Sequence, residues 1–598
     1  MRPQNQLLRA AALAAGVALL SIMPLSATSA DCKVGPLLEL PVSMNGLKPM
    51  IQSKINGSDV QLIADSGAFF SLLSPASAAS LHLPRETTPL GFYLQGVGGA
   101  VAPYLTTVKE LSLGGTSFKG VKFLVGGSET GSESVGVLGQ NILDFVDTEY
   151  DFSRGRLRLL QAVGCSKTNL AYWSRGLDLS IVDLDFISEN SKATISSAYV
   201  NGVKLRVELD SGSEESLITE RAARHAGIRT DGPDVQMGGA IHGLGRYAVR
   251  SWIVPIKSFR VGGEEVRNTR LRVADLDLAS IDMFVGADFF LSHHILVANS
   301  QHRLYITYNG GPVFKLPEPQ TGPPAGSPTT QPTPPAAASA EAAADAASFA
   351  RQGDAESARH DYEHAISDLT RACELEPQNS DYFLARSRAY SATQESALAV
   401  ADLQHSIELN SNNVTALFER AQLRRAQGDA TGAITDLDAI DRIVPKEADI
   451  RSAVGELYGE LDRLDAAIAQ FDQWIPAHPD DVKLARTLTD RCWFRVLGNR
   501  DLDKALDDCE RADSRWPKVA VIVGGRGWVR LRLGQFDKAL NAFNTSLKLV
   551  PKEPWSLYGR GVAEIRKGSE QAGLADIRAA LALRPDIEQE AKKYGMSP

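Results

Sequence analysis

The sequence predicts a multidomain chain: an all-β half made of two similar lobes, then an all-α half that stacks as a superhelix. Three observations predict this. A strand-rich unit of about 130 residues occurs twice within residues 31–310. A helical period of 34 residues runs from about residue 347 to the end. Between them lies a stretch too rich in Pro, Ala, Thr and Ser to build a core. The expected boundaries are 1–30 for an export signal, 31–170 and 171–315 for the two lobes, 316–346 for a linker and 347–598 for the repeats.

At 598 residues the chain is too long for one domain. Its net charge of −9 and 43% hydrophobic content exclude a wholly disordered or fibrous protein. The acidic balance argues against a nucleic-acid binder, which needs a basic face. Ten histidines occur without C-x-x-C or H-E-x-x-H, so no metal signature stands out and no metal or organic cofactor is expected.

The N-terminus has the layout of a secretory signal. Arg2 and Arg9 precede an apolar run from Ala10 to Leu20, Pro24 breaks any helix, and Ala27-Thr28-Ser29-Ala30 offers small residues for cleavage. The run is shorter than the ~20 residues a membrane span needs. No later segment is long and apolar enough to span. Cleavage leaves 61 basic against 72 acidic residues, a mature charge of −11. The expectation is a soluble, exported protein, periplasmic or secreted.

Export implies an oxidising compartment. Cys32 and Cys165 flank the first lobe, and a bond between them would tie its ends together. Such a long closed loop is worth ~4–5 kcal/mol in the chain-entropy model; paired and free thiols both fit the sequence. Cys373, Cys492 and Cys509 lie in the helical half and are expected to pack as small apolar residues.

The duplication in the β half is the most informative feature. I-N-G-S-D-V-Q-L-I-A-D-S-G from Ile55 aligns without a gap on V-N-G-V-K-L-R-V-E-L-D-S-G from Val200, at an offset of 145. Asn56-Gly57 and Asn201-Gly202 each announce a hairpin before an apolar strand. Asp65-Ser66-Gly67 falls on Asp210-Ser211-Gly212. At an offset of 147, Gly96-Val97-Gly98 falls on Gly243-Leu244-Gly245, Val137-Leu138-Gly139 on Phe284-Val285-Gly286, and Arg156-Leu157 on Arg303-Leu304. A lone Asp-Ser-Gly is usually a turn. Two in register, each followed by Gly-x-Gly and apolar-apolar-Gly at matched spacing, are not chance.

This order resembles the retroviral-type (retropepsin-like) aspartic proteases over most of residues 37–310. The resemblance implies a bilobal, acid-protease-like fold. It makes Asp65 and Asp210 the catalytic pair, with Ser66, Gly67, Ser211 and Gly212 supporting the two loops. Gly96, Val97, Gly98 and Gly99 would form a flap over substrate, with Gly243 and Gly245 in a second, less typical and more structural hairpin. Two carboxylates held together cannot both ionise, so one serves as base on a water while the other, protonated, polarises the scissile carbonyl. With both loops on one chain, the pair forms within a monomer; pairing between molecules is the alternative. The copies differ after the glycine, with Ala68 in one and Ser213-Glu214-Glu215 in the other. In such proteases a hydroxyl there favours ionisation of the pair, and the glutamates would raise its pKa if they faced it. His293-His294 reads as a strand-edge pair rather than a metal site.

In the helical half, Pro377, Ser411, Pro445, Pro479, Pro517, Pro551 and Pro585 share one phase, every 34 residues with a single interval of 38. Ala365, Ala399, Ala433, Ala467, Ala505, Ala539 and Gly573 lie twelve residues before each. This resembles seven tetratricopeptide repeats, the fifth extended near Leu497-Gly498-Asn499-Arg500. Small residues let paired helices approach, and proline ends the second helix. By that register Trp528, Trp555, Tyr558, Arg388, Gln422 and Arg425 line a groove for a protein partner; Trp528, Trp555 and Tyr558 equally suit an inter-repeat core.

The expected function is therefore an exported aspartic endopeptidase acting on a peptide or protein, with a partner held on the repeats. A catalytically inert protease-fold scaffold is the alternative.

Overall fold

The computed structural model describes residues 32–88, 92–127, 133–166, 168–185, 194–245, 247–276, 278, 280–314 and 346–598. The export signal and nearly all of the Pro/Ala-rich linker lie outside the described residues. The β half is bilobal and the rest is a helical array, as the sequence predicts.

In the first lobe the strands are β1 (Lys33–Asn45), β2 (Lys48–Ile55), β3 (Ser58–Ala64), β4 (Leu72–Leu73), β5 (Leu94–Gly96), β6 (Gly99–Val101), β7 (Tyr104–Leu113), β8 (Thr116–Val125), β9 (Gly136–Leu138), β10 (Asp147–Asp151) and β11 (Arg156–Val163). Two short helices interrupt them, α1 (Pro75–Ser80) and α2 (Gln140–Leu143). The second lobe holds β12 (Leu179–Asp183), β13 (Ile195–Val200), β14 (Val203–Leu209), β15 (Leu217–Thr219), β16 (Gln236–Ile241), β17 (Val249–Val261), β18 (Glu264–Ala274), β19 (Met283–Val285), β20 (His293–Ala298) and β21 (Arg303–Tyr308), with α3 (Glu220–His225) and α4 (Ala287–Ser292).

The duplication survives at the level of hydrogen bonding. Strand β3 runs parallel to β9, and β4 lies antiparallel to β9 and parallel to β8. In the second lobe β14 runs parallel to β19, and β15 lies antiparallel to β19 and parallel to β18. Even the helix caps repeat: Ser77 N–H donates to Ser74 Oγ and Ala222 N–H to Thr219 Oγ1, in the N-cap geometry of Ser and Thr. The apolar residues of β3 and β14 alternate. Val60, Leu62 and Ala64 face one core with Leu205, Val207 and Leu209, so Ile63, Glu208 and the aspartates that follow lie on the opposite faces.

The lobes are joined by a shared sheet, β12-β21-β20-β10-β11-β1, continuous with the first lobe's own strands. Tyr150 pairs Ile295 across the join, and Tyr150, Phe152 and Phe290 pack edge-on and stacked beneath it. His293 and His294 are therefore not at an edge: β20 lies between β10 and β21, and both rings are buried. Each is used up structurally. His293 Nε2 lies 2.9 Å from Glu264, His294 Nε2 lies 2.7 Å from Glu149, and His294 stacks on Trp173. Cys32 and Cys165 are disulfide-bonded across 133 residues.

The helices pair as α5 (Ala346–Ala358) with α6 (Tyr362–Leu375), α7 (Ser380–Ala392) with α8 (Ser396–Leu409), α9 (Val414–Ala426) with α10 (Ala430–Ile443), and α11 (Ile450–Glu460) with α12 (Leu464–Ala477). Then come α13 (Leu484–Leu497) with α14 (Leu502–Arg515), α15 (Ala520–Arg532) with α16 (Phe536–Leu549), α17 (Pro554–Arg566) with α18 (Glu570–Leu583), and a closing α19 (Ile587–Lys593). The phase-keeping alanines are fully buried where the second helix of a pair crosses the first. The extra length of the fifth pair falls partly in the loop 498–501, where Asn499 and Asp501 have positive φ, and partly before α13.

Two expectations for this half are corrected. Cys492 and Cys509 do not pack as free apolar residues; they form a disulfide that clamps α13 to α14, while Cys373 is free and buried. Of the residues assigned to a groove, Trp528 and Tyr558 are inter-repeat core, packed with Trp493 and Trp555. Arg388 faces the first lobe, donating to Glu133 at 2.6 Å and to Glu419 at 2.8 Å. Only Gln422 and Arg425 stay open, Arg425 beside Glu460.

A further device pairs the helices in four of the repeats. An arginine on a first helix makes a two-pronged bond to an aspartate on its partner. Arg386 holds Asp402, Arg420 holds Asp436, Arg491 holds Asp508 and Arg560 holds Asp576. The first repeat is not a loosely tethered neighbour. Ala355 and Ala358 of α5 are buried in the same apolar cluster as the lobes.

Candidate active site

Strands β3 and β14 each deliver an Asp-Ser-Gly turn to the junction between the lobes. The backbone of each aspartate is anchored to the parallel strand alongside: Asp65 N–H donates to the Leu138 carbonyl at 3.0 Å and Asp210 N–H to the Val285 carbonyl at 2.9 Å. Gly139 and Gly286, which end the apolar-apolar-Gly elements, pass so close to the loops that a Cβ at either would lie under 3 Å from their carbonyls.

The two serines lock the loops together. Ser66 N–H donates to Ser211 Oγ at 3.0 Å, and Ser211 N–H to Ser66 Oγ at 2.9 Å. Each hydroxyl then donates across the interface, Ser66 Oγ to the Leu209 carbonyl and Ser211 Oγ to the Ala64 carbonyl, both at 2.8 Å. Both serines are fully buried, so all four bonds are made away from water. Gly67 packs on the Asp210 carboxylate and Gly212 on that of Asp65.

The carboxylates of Asp65 and Asp210 hydrogen-bond to each other. Asp65 Oδ1 accepts from Gly67 N–H at 2.9 Å and Ala68 N–H at 2.7 Å, and Asp210 Oδ1 accepts from Gly212 and Ser213 N–H, both at 3.1 Å. Burial pushes both above the ordinary carboxylate range, Asp210 the further, because the charges of Asp65 and Glu208 also act on it. The shorter backbone bonds favour the ionised form at Asp65. The shared proton therefore sits preferentially on Asp210.

The differences after the glycines act otherwise than the sequence suggested. Ser213 Oγ turns to the Glu215 carbonyl rather than the dyad. Glu215 is held by Arg272 at 2.5 Å, and Glu214 lies 3.4 Å from Lys48 of the first lobe. The glutamate that acts on the dyad is Glu208. It stands on the polar face of a strand that alternates apolar residues with Lys204, Arg206 and Glu208, so the sequence alone gives no sign of its burial. Gln140 is the other residue missed: its amide donates to the Ser66 carbonyl at 2.6 Å and to Thr194 Oγ1 at 3.1 Å. Below the loops Ser71 donates to Asn141, two residues after Gly139, and Ser216 to Asp288, two residues after Gly286.

Overhead, β5 and β6 form the expected hairpin around Val97-Gly98, with Gly96 facing Gly99. Its tip meets the second lobe directly. Gly245 N–H donates to the Val97 carbonyl at 2.8 Å and Tyr247 N–H to the Gly98 carbonyl at 3.1 Å. Gly243 packs on the Val97 side chain, and Leu244 reaches the apolar cluster of Leu94, Val101, Leu105 and Leu124. The two Gly-x-Gly elements thus close tip to tip. His242 on the second lies near enough to Asp481 and Lys483 of the fifth repeat to feel their charges.

An aspartyl protease family model matches residues 51–142 and 196–289, one segment in each lobe. Tetratricopeptide repeat models match residues 384–448, 424–492 and 525–586. The two lobes are aspartyl-protease domains, and the helices that follow are tetratricopeptide repeats. No curated protein sequence matches the chain. Solved structures similar to it include YrrB, described as a tetratricopeptide repeat protein with an unusual peptide-binding site; it is 16% identical and covers 32% of this chain and 97% of its own, at a TM-score of 0.29. A tetratricopeptide repeat protein from Parabacteroides merdae is 16% identical over 42% of this chain and 98% of its own, at a TM-score of 0.31. The aspartyl-protease lobes supply the loops, brace and roof just described; the repeats reach them through α5, Arg388 and the neighbourhood of His242.

Proposed function

We propose that this chain is an exported aspartic endopeptidase, with Asp65 and Asp210 as a catalytic dyad formed in cis and the repeat array as a docking platform for a protein partner. The observation that carries the reading is the pair of carboxylates, hydrogen-bonded to each other and held by a two-fold serine brace.

An extended peptide would lie between the dyad and the Val97-Gly98 hairpin, entering by parting the roof bonds. Ionised Asp65 takes a proton from a water as the oxygen attacks the scissile carbonyl carbon, while Asp210 gives its proton to the carbonyl oxygen. The result is a neutral gem-diol. In its collapse a diol hydroxyl returns a proton to Asp210, Asp65 passes its proton to the nitrogen, and the C–N bond breaks. Both carboxylates end as they began, and no covalent intermediate forms. Export is supported by the N-terminal sequence and by two disulfides, which persist in oxidising compartments. No helix among the described residues is long and apolar enough to cross a membrane.

The test is cleavage of a diverse peptide mixture by residues 31–598 between pH 3.5 and 8, read by mass spectrometry, beside Asp65→Asn and Asp210→Asn. Cuts by the wild type that vanish in both variants are expected. Loss in only one variant would mean that one lobe works as a homodimer and the other is architectural. Folded protein that makes no cuts at any pH would sink the enzyme reading.

A further inference from the structure

Glu208 has no structural employment. It is 8% exposed, yet among the described residues its carboxylate meets neither a hydrogen-bond donor nor a cation at bonding distance. The next residue on its face of β14, Arg206, is turned to the Ser280 carbonyl. The charged groups that act on Glu208 and its immediate surroundings are those of the dyad.

Its position is set by the strand. Residues 204, 206, 208 and 210 share one face of β14, opposite the core face of Leu205, Val207 and Leu209. At ~3.3 Å per residue the Glu208 backbone is about 6–7 Å from that of Asp210. That is within the length of one substrate side chain from the reacting carbonyl. The corresponding place in the first lobe is Ile63, which packs with Met50, Val137, Ala68 and Leu72 in a purely apolar wall. Glu208 pairs Ile195 and Phe284, the counterparts of Met50 and Val137, so the second lobe builds the same wall with one carboxylate set into it.

A buried carboxylate without a partner is costly unless a ligand supplies the cation. We infer that Glu208 is a specificity-determining residue, forming the acidic end of a subsite that takes a lysine or arginine side chain next to the scissile bond, while the Ile63 side takes an apolar one. The inference rests on the protease reading and deepens it.

Two variants keep the test clear of folding failure, since Ile63 shows that an isoleucine fits this wall. Peptide profiling of wild type, Glu208→Gln and Glu208→Ile should show wild-type cuts flanked on one side by Lys or Arg. In Glu208→Ile, the ratio of kcat/KM for those peptides to that for their norleucine analogues should fall at least tenfold, a ratio that a change in the dyad's own titration leaves unmoved. An unchanged profile with intact cleavage overturns the subsite but leaves the protease reading standing. Calorimetry makes the test independent of turnover. Two peptides with a non-cleavable hydroxyethylene unit, one carrying Lys and one norleucine beside it, are titrated in two buffers at pH 7. The Lys ligand should bind the wild type more tightly, release about one proton as Glu208 ionises against it, and lose both advantages in Glu208→Ile. A wild type that binds the two equally, or binds neither, refutes the assignment.

Discussion

Gly212 stands so close to Asp65 that a β-carbon added to it would lie 2.3 Å from the Asp65 carboxyl carbon; Gly67 stands at 2.5 Å from that of Asp210. Each glycine is the seat of the opposite carboxylate. A methyl at either position forces the pair apart, and displacements of this kind cost about 100-fold or more in rate. Gly212→Ala should therefore lose at least ~100-fold in kcat/KM while keeping its circular dichroism spectrum. Wild-type turnover in that variant would mean the carboxylates do not work as a pair.

The serine brace makes a thermodynamic prediction. Ser66→Ala orphans the Ser211 N–H and the Leu209 carbonyl, both buried. The expected loss is ~1–3 kcal/mol in urea unfolding, with the same for Ser211→Ala. Because the four bonds form one ring, a double-mutant cycle should show a coupling of at least ~0.5 kcal/mol. Strict additivity would indicate that the loops are held independently.

Glu208 sets the sign of two pH effects. Its carboxyl is pushed up to about 8 by burial and by the charge of Asp65. In the proposed mechanism activity ends on the alkaline side when the dyad loses its shared proton, and a charged Glu208 resists that loss. Glu208→Gln should therefore move the alkaline limb of kcat/KM to lower pH. For stability, the folded state keeps a proton on Glu208 that the unfolded chain has released, so unfolding free energy falls as pH rises from ~4.5, the usual glutamate value, towards about 8. Urea midpoints measured across that window should fall less steeply in Glu208→Gln. Parallel curves would contradict the placement of this side chain.

The Cys492–Cys509 bond closes a separation of 17 residues between two helices of one repeat. Its removal is expected to cost ~3 kcal/mol in the chain-entropy model. Cys492→Ser/Cys509→Ser should lower the melting temperature of the helical half, and dithiothreitol should lower it further in the wild type than in the variant, which keeps only the Cys32–Cys165 bond of the first lobe.

Much of this architecture was legible because duplication makes chance testable. The two Asp-Ser-Gly turns, both Gly-x-Gly tips and the apolar-Gly elements all lie where the matched spacing put them, since each is bound to backbone geometry that tolerates few substitutions. What escaped the reading depends on contacts between segments far apart in sequence. The Cys492–Cys509 bond needs two helices in antiparallel register, and the fate of Arg388 needs the first lobe beside it. Trp528 and Tyr558 were open between groove and core until the neighbouring aromatics closed over them. Glu208 shares its face of β14 with Lys204 and Arg206 and reads as an ordinary solvent-facing charge, and the Gln140 amide finds Ser66 and Thr194 only when the two lobes meet.

The substitution of Glu208 for Ile63 has a meaning for how this protein can change over generations. In a homodimer every mutation is written twice, once on each side of the substrate, and the cleft stays palindromic. Here the two sides are separate stretches of one gene. Under the proposed function, one flank can drift towards a new preference while the other keeps the old, and the brace of Ser66 and Ser211 holds the carboxylate pair still in the meantime.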